Sequence, residues 1–317
     1  MPSLKSHLVS LVLKHSRKKA FTSPEGLHRW IARSRKLQDH RPPARLAARL
    51  CIRERAVHGF PVYDVSPAAG GGNQRILYFH GGAYVFEITP YHWTLIAELA
   101  ERLDATVTVP IYPIAPEHDF HRMFAMVRAV YERVLEETAA GDLSFVGDSA
   151  GGNMAVVLTM MAAEDGLPRP ARHVLISPGL DMSLSNPRTH EAERLDPWLA
   201  IPGGLEAIRL YAPGIDRCDW RISPIFGDLS VLPRTLLLTG SRDMLTPDNI
   251  AFAERARMTG VEVELVHEEG MFHVWPLIDM PEARRARDRI VAFLGGEPMA
   301  RPVPRWNWGA LRTAPSP

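Results

Sequence analysis

The stretch FVGDSAGGNM, residues 145–154, sets one serine, Ser149, among glycines at 147, 151 and 152. A short apolar run leads into it, and a run with helical apolar spacing leads out. G-x-S-x-G between a strand and a helix is the form of a nucleophile elbow, a sharp turn that lifts a serine hydroxyl clear of the backbone. The chain holds no second match to this pattern. Such a turn forces the serine into an unfavourable conformation, and a side chain at either flanking glycine would clash within it. The bland reading is a glycine-rich corner that grips phosphate. It lacks the Lys-Ser/Thr of a P-loop and the G-x-G-x-x-G of a dinucleotide site.

Outward from the elbow, spacing predicts strands over 75–79, 106–110, 143–146, 173–177, 235–239 and 261–267. Between and after them it predicts helices over 91–103, 120–138, 153–164, 248–259 and 281–294. Strands alternating with helices of this length argue a mostly parallel sheet covered on both faces. Before them, 52–57 and 60–65 read as strands joined by His58-Gly59, too tightly for a crossover and therefore antiparallel. Residues 4–50 read as helices. Leu4, Leu8, Leu11 and Val12 recur at helical spacing. Ser23 and Pro24 mark a helix start, with Leu27, Trp30 and Ile31 on its apolar side. Another helical stretch is expected after Arg41-Pro-Pro43. Residues 181–232 break the rhythm, with one short helical piece near 205–211. The Pro-rich tail 295–317 is expected to be loosely held.

Composition narrows the function classes. The chain has 317 residues, 46% hydrophobic and 23% charged, which suits a soluble α/β protein with a large core. A net charge of +1 argues against nucleic acid as partner. The charge is uneven: residues 1–45 hold 11 Lys/Arg against 2 Asp/Glu. A basic arm on an acidic body suits membranes or anionic substrates, and equally a solvated helical face packed on the body. The two cysteines form no CxxC pair and no metal-ligand spacing is present, so a reducing, cytoplasmic location without cofactor is expected. No run approaches the ~20 apolar residues of a membrane span, and the apolar run 8–13 is too short for a secretory signal.

A serine hydroxyl needs a base to take its proton and an acid to orient that base. In an elbow-bearing fold the chain order is Ser, acid, His. Beyond residue 243 the histidines are His267 and His273. His267 falls in a predicted strand. His273 falls in the turn that follows, at the carboxyl edge of the sheet where ligands bind. Asp243 leaves the strand before it at the same edge, with Asp248 and Asp181 as competitors. The oxyanion formed by attack needs preorganised N–H donors. His80-Gly-Gly-Ala-Tyr84 directly follows a strand, so Gly81 and Gly82 are candidate donors, with Ala150 N–H as the third. His80 reads as a structural ring that bonds the loop.

Together HGGAY (80–84), YPIAPEH (112–118), GDSAGGN (147–153), SPGLD (177–181), DP (196–197), SPIFGDLSVLP (223–233), GSRDML (240–245) and GMFH (270–273) resemble the hormone-sensitive-lipase-like α/β-hydrolases, especially their bacterial esterases. The resemblance spans about residues 52–294. It implies an α/β-hydrolase fold with a mostly parallel sheet of about eight strands, and Ser149, Asp243 and His273 as nucleophile, acid and base. It also implies Gly81, Gly82 and Ala150 as oxyanion donors. The division it implies is an N-terminal helical cap segment (1–50), a catalytic domain (51–294) whose insertion 181–232 completes the cap, and the tail. Small-molecule esters of small to medium chain length are the expected substrates, meeting Ala83, Tyr84, Trp30, Leu180, Met244 and Phe272. The N-terminal and DML-type segments are most similar to those of small-ester and monoterpene-lactone hydrolases, so lactone or amide hydrolysis is the alternative. A small-molecule receptor on the same fold is a further class, disfavoured by His273. A homodimer through the C-terminal helix and strand is possible. The sequence departs from the group at Ala83, where a third glycine is usual, at Pro113 for arginine, over 119–123, and at Met126 for an acidic residue.

Overall fold

The computed structural model describes residues 2–37 and 39–299. Among the described residues, eight strands form one sheet: β1 Leu50–Val57, β2 Phe60–Pro67, β3 Arg75–Phe79, β4 Thr106–Pro110, β5 Leu143–Asp148, β6 Arg172–Ile176, β7 Arg234–Arg242 and β8 Val263–Phe272. Their order is β1-β2-β4-β3-β5-β6-β7-β8. The β1–β2 and β2–β4 pairs are antiparallel and the rest parallel. The first hairpin closes on His58 (φ 51°) and Gly59 (φ 84°), the two positive angles that match the twist of a tight hairpin.

The helices are α1 Leu4–His15, α2 Lys18–Phe21, α3 Pro24–Arg35, α4 Pro90–Leu103, α5 Phe120–Glu137, α6 Ala150–Glu164, α7 Pro187–Glu193, α8 Ile201–Tyr211, α9 Thr246–Met258 and α10 Pro281–Leu294. Strand side chains alternate between two cores, as period-two pleating requires. Leu77, Phe79, Phe145, Leu175 and Leu237 face α5, α6 and α9. Ile76, Tyr78, Val146, Val174 and Leu236 face α4 and α10. Residues on α2, α3 and α8 join the first core, and α2 and α3 pack on α8. A β-carbon at Gly203 of α8 would strike the backbone of Phe21, so that glycine sets how closely the two layers approach.

Four expectations need correction or extension. After Arg41-Pro-Pro43 there is only a single 3-10 turn, Ala44–Leu46, before β1. The prolines fix φ and remove donors, and Leu46 and Leu50 are drawn into the core. Within 181–232, α7 went unpredicted because only Thr189 of its seven residues is buried, which leaves no apolar period to read. Strand β8 continues through 268–272 after a register irregularity opposite Gly240 and Arg242, so His273 follows a strand directly. Most of the expected tail, from 300 onward, lies outside the described residues. Among the described residues, no helix is long and apolar enough to cross a membrane.

Helix α7 is tied to α9 through Asp248, whose carboxylate accepts from Asn186 Nδ2 (2.6 Å) and Thr189 Oγ1 (3.2 Å). Burial pushes Asp248 up to about 6. A folded-state value above the ordinary carboxyl range means that stability is fully present below the unfolded value and declines as pH rises through about 6. Asp248→Asn should therefore raise the urea midpoint at pH 8, and the gain should vanish near pH 4. A lower midpoint at pH 8 would show that the ionised carboxylate is net stabilising.

Candidate active site

Strand β5 ends at Asp148, and α6 begins at Ala150. Ser149 between them has φ 52° and ψ −117°, a strained conformation for a residue with a side chain. A β-carbon at Gly147 would strike the backbone of Gly151, and one at Gly151 would strike the carbonyls of Phe79 and His80. The glycines thus let β3, β5 and α6 meet. The elbow is pinned to β6 and the loop after it: Ser149 N–H donates to Ile176 O (2.8 Å), and Ser149 O accepts from Gly179 N–H (3.1 Å).

His273, at the end of β8, places Nε2 2.9 Å from Ser149 Oγ and Nδ1 2.9 Å from Asp243 Oδ2. Asp243 is fully buried at the end of β7, and its Oδ1 accepts from Leu245 N–H (3.0 Å). Burial acts to lower the His273 pKa, but the nearby charges of Asp243, Asp196 and Asp148, with the hydrogen bond to Asp243, outweigh it and the net shift is upward. The edge of the His273 ring meets Trp198, with centroids 5.9 Å apart. The competing acids are committed elsewhere. Asp248 holds α7, and Asp181 accepts from the N–H and hydroxyl of Ser183. His267 lies back along β8, opposite Thr239.

Two buried carboxylates beside this chain escaped the sequence reading. Asp196 accepts from Met244 N–H through Oδ2 (2.9 Å), and from Trp198 and Leu199 N–H through Oδ1. It therefore clamps the 196–199 loop, with Trp198, onto the turn carrying Asp243. Burial and the Asp243 charge push it up to about 6. Asp148 accepts from Tyr78 OH (2.8 Å) and from His92 Nε2 (3.2 Å). Thr89 N–H donates to His92 Nδ1 (2.9 Å), which makes Nε2 the proton-bearing nitrogen. Burial opposes the charge on Asp148, yet His92 and Tyr78 hold its pKa below the ordinary value. Asp148 stands inside the quoted motif, but nothing in its spacing points to a partner 56 residues upstream.

The loop after β3 lies against the elbow. A β-carbon at Gly81 would strike the Asp148 carboxylate, and Gly82 has φ 131°. Ala83 (φ 52°) and Tyr84 (φ 61°) follow in the left-handed region. Tyr84 is held there by stacking on Tyr211 at 3.8 Å and by donating to Asn153 Oδ1 (2.6 Å). Among the described residues, the N–H groups of Gly81, Gly82 and Ala150 have no backbone acceptor. His80 is a buried ring stacked on Tyr112, with its Nδ1 on Gly81 O (2.7 Å). Burial brings it down to about 3, so it is neutral.

Ser149 opens onto a narrow cavity of about 70 Å³. Ala83, Tyr84 and Met244 line it, as do Phe21 of α2, Leu184, Leu199, and Gly204, Ala207 and Ile208 of α8. Leu180, Phe272 and Trp30 do not. Leu180 is packed in the first core, Phe272 faces the opposite core, and Trp30 lies under Arg17 and Arg33 on α3. The α8 residues have no catalytic motif; only Ala207 and Ile208 fall within the helical piece expected at 205–211, and Gly204 lies before it.

The family model of the alpha/beta hydrolase fold matches residues 76–277. The chain is 32% identical to an acetyl-hydrolase of Streptomyces hygroscopicus, over 73% of this chain and 78% of the relative. It is 31% identical to an esterase of Acinetobacter venetianus, over 71% and 76%. The crystal structure of EstE7, a hormone-sensitive-lipase homologue from a metagenome library, superposes with a TM-score of 0.77 at 30% identity, covering 92% of this chain and 98% of that one. With the elbow, the sheet order and these likenesses in agreement, the chain belongs to the alpha/beta hydrolase fold family, in its hormone-sensitive-lipase-like group.

Proposed function

We propose that the protein is a serine hydrolase of small carboxylic esters. One observation carries the reading: Ser149 Oγ, His273 and Asp243 are joined by two 2.9 Å contacts at the mouth of an apolar cavity. His273 Nε2 takes the hydroxyl proton as Ser149 Oγ bonds to the ester carbonyl carbon. The carbonyl oxygen becomes an oxyanion, held by the N–H groups of Gly81, Gly82 and Ala150. Asp243 fixes the tautomer and stabilises the imidazolium. Collapse of the intermediate breaks the bond to the alcohol, which leaves with the proton from Nε2. Water then attacks the acyl-enzyme with His273 again as base, releasing acid and free Ser149.

Phe21 of α2, Leu184, Leu199 and the α8 residues Gly204, Ala207 and Ile208 close over the cavity, and its narrowness favours short acyl groups. The acetyl-hydrolase and esterase relatives support the same substrate class. A fluorophosphonate probe should add one adduct, located on Ser149 by peptide mass mapping. An intact protein that takes no adduct would overturn the reading and favour a receptor.

A further inference from the structure

Helix α1 is built inside out. Its buried side carries Ser6, Ser10 and Leu13. Leu4, Leu8, Leu11 and Val12 point to solvent, exposed by 55 to 90%. At helical spacing these four form one stripe about 100° wide, the face that a surface helix ordinarily turns inward. Leu13 packs in the second core with Val9 against it, and polar ties complete the attachment. The backbone N–H and hydroxyl of Ser3 donate to the Glu282 carboxylate, and Lys5 Nζ donates to Asp279 (3.2 Å).

The charged side chains of this segment have one sign, and among its neighbours Asp279 pairs with Lys5. Residues 1–24 hold Lys5, Lys14, Arg17, Lys18 and Lys19 and no acidic residue. Lys18 is committed to the carbonyls of Glu193 and Leu199, and Lys5 to Asp279. Lys14 and Lys19 are exposed, with Lys5 and Lys14 on opposite flanks of the stripe. A second copy of the chain fits the face poorly. Twelve residues of helix are about 18 Å long, and four side chains on it fall well short of the ~800 Å² per partner of a stable interface. An apolar stripe flanked by lysines matches a bilayer interface, where acyl chains receive the leucines and anionic headgroups the ammonium groups.

We infer that α1 is a peripheral docking helix for an anionic lipid surface. It leads directly into α2, where Lys18 grips the Leu199 carbonyl and Phe21 lines the cavity. Docking by α1 would hold the cap elements beside the lipid surface, where sparingly soluble esters partition.

The full chain should co-sediment with vesicles made from an equal mixture of phosphatidylcholine and phosphatidylglycerol. Binding to phosphatidylcholine alone should be at least about tenfold weaker. The Leu8→Glu/Leu11→Glu variant should lose at least about tenfold in binding to the mixed vesicles, while its circular dichroism and its turnover of p-nitrophenyl acetate are unchanged. Lys14→Glu/Lys19→Glu should erase the preference for anionic lipid. Vesicle binding is read without turnover, so this inference stands or falls separately from the esterase reading. Failure of the wild-type chain to sediment with mixed vesicles would overturn it, as would undiminished binding by the leucine variant. A wild-type dimer that becomes a monomer in the leucine variant, with no vesicle binding, would assign the face to a second copy.

Discussion

Ser149→Ala should lower kcat/KM for p-nitrophenyl acetate by about five to six orders of magnitude, the scale on which a lost triad nucleophile acts. The argument is local. Among the described residues Ser149 Oγ has one partner, His273 Nε2 at 2.9 Å, and in the proposed mechanism its loss removes both the attacking atom and the proton that the base accepts. The fold should tolerate the change. Ser149 is held by its backbone, through the Ile176 carbonyl and the Gly179 N–H, and alanine makes the same bonds. Alanine at φ 52° carries the same strain as serine, so the thermal midpoint should move little. The proposed oxyanion donors are backbone groups and would survive, leaving a small residual rate over water. A folded variant that keeps more than about a hundredth of the activity would remove Ser149 from the nucleophile role, because general acid–base assistance alone is worth only about 10²–10⁴.

The legibility of the sequence follows the range of the forces involved. Period-two and helical spacing are local, and Arg75–Phe79, Thr106–Pro110 and Pro281–Leu294 are read to the residue. The β1–β2 hairpin is legible because its turn needs two positive φ angles and the chain supplies His58-Gly59. The elbow is legible because a tight turn excludes β-carbons, and exclusion leaves glycines in fixed positions. What escapes is decided between distant segments. Helix α7 buries one threonine and is held by Asp248, about 60 residues on, through side chains with no periodic mark. Asp196 and Asp148 are buried carboxylates whose partners are backbone N–H groups in one case and Tyr78 and His92 in the other. A loop aspartate ordinarily reads as a turn former. The cavity lining was the least legible of all. Phe21 and Gly204 reach it only because α2 and α8 fold over the sheet's carboxyl edge, while of the three aromatic residues expected there Tyr84 lines it and Trp30 and Phe272 are used elsewhere.

Asp243→Asn should lower kcat by about 10⁴-fold, with the protein still folded. The site fixes which way the asparagine lies. Leu245 N–H donates to Oδ1, so the amide oxygen must remain there and the NH₂ turns toward His273 Nδ1. Nδ1 is then obliged to accept, the ring proton moves to Nε2, and that nitrogen can no longer take a proton from Ser149. Asp196 cannot stand in, because its two oxygens already accept N–H groups from Met244, Trp198 and Leu199. The pH profile provides a second reading. In the wild type, activity should fall as pH drops through the His273 pKa, since the imidazolium cannot act as base. Burial lowers that pKa and Asp243 is the largest influence raising it, so losing the carboxylate should move the acid limb of kcat/KM to lower pH. Slow turnover with an unshifted acid limb would mean that the limb reports another group. Near-normal turnover would mean that His273 is oriented by something other than Asp243. The clamp is separable from the triad: Asp196→Asn leaves the His273–Asp243 contact intact and loosens Trp198 and the 196–199 loop, so its loss of activity should be far smaller than that of Asp243→Asn.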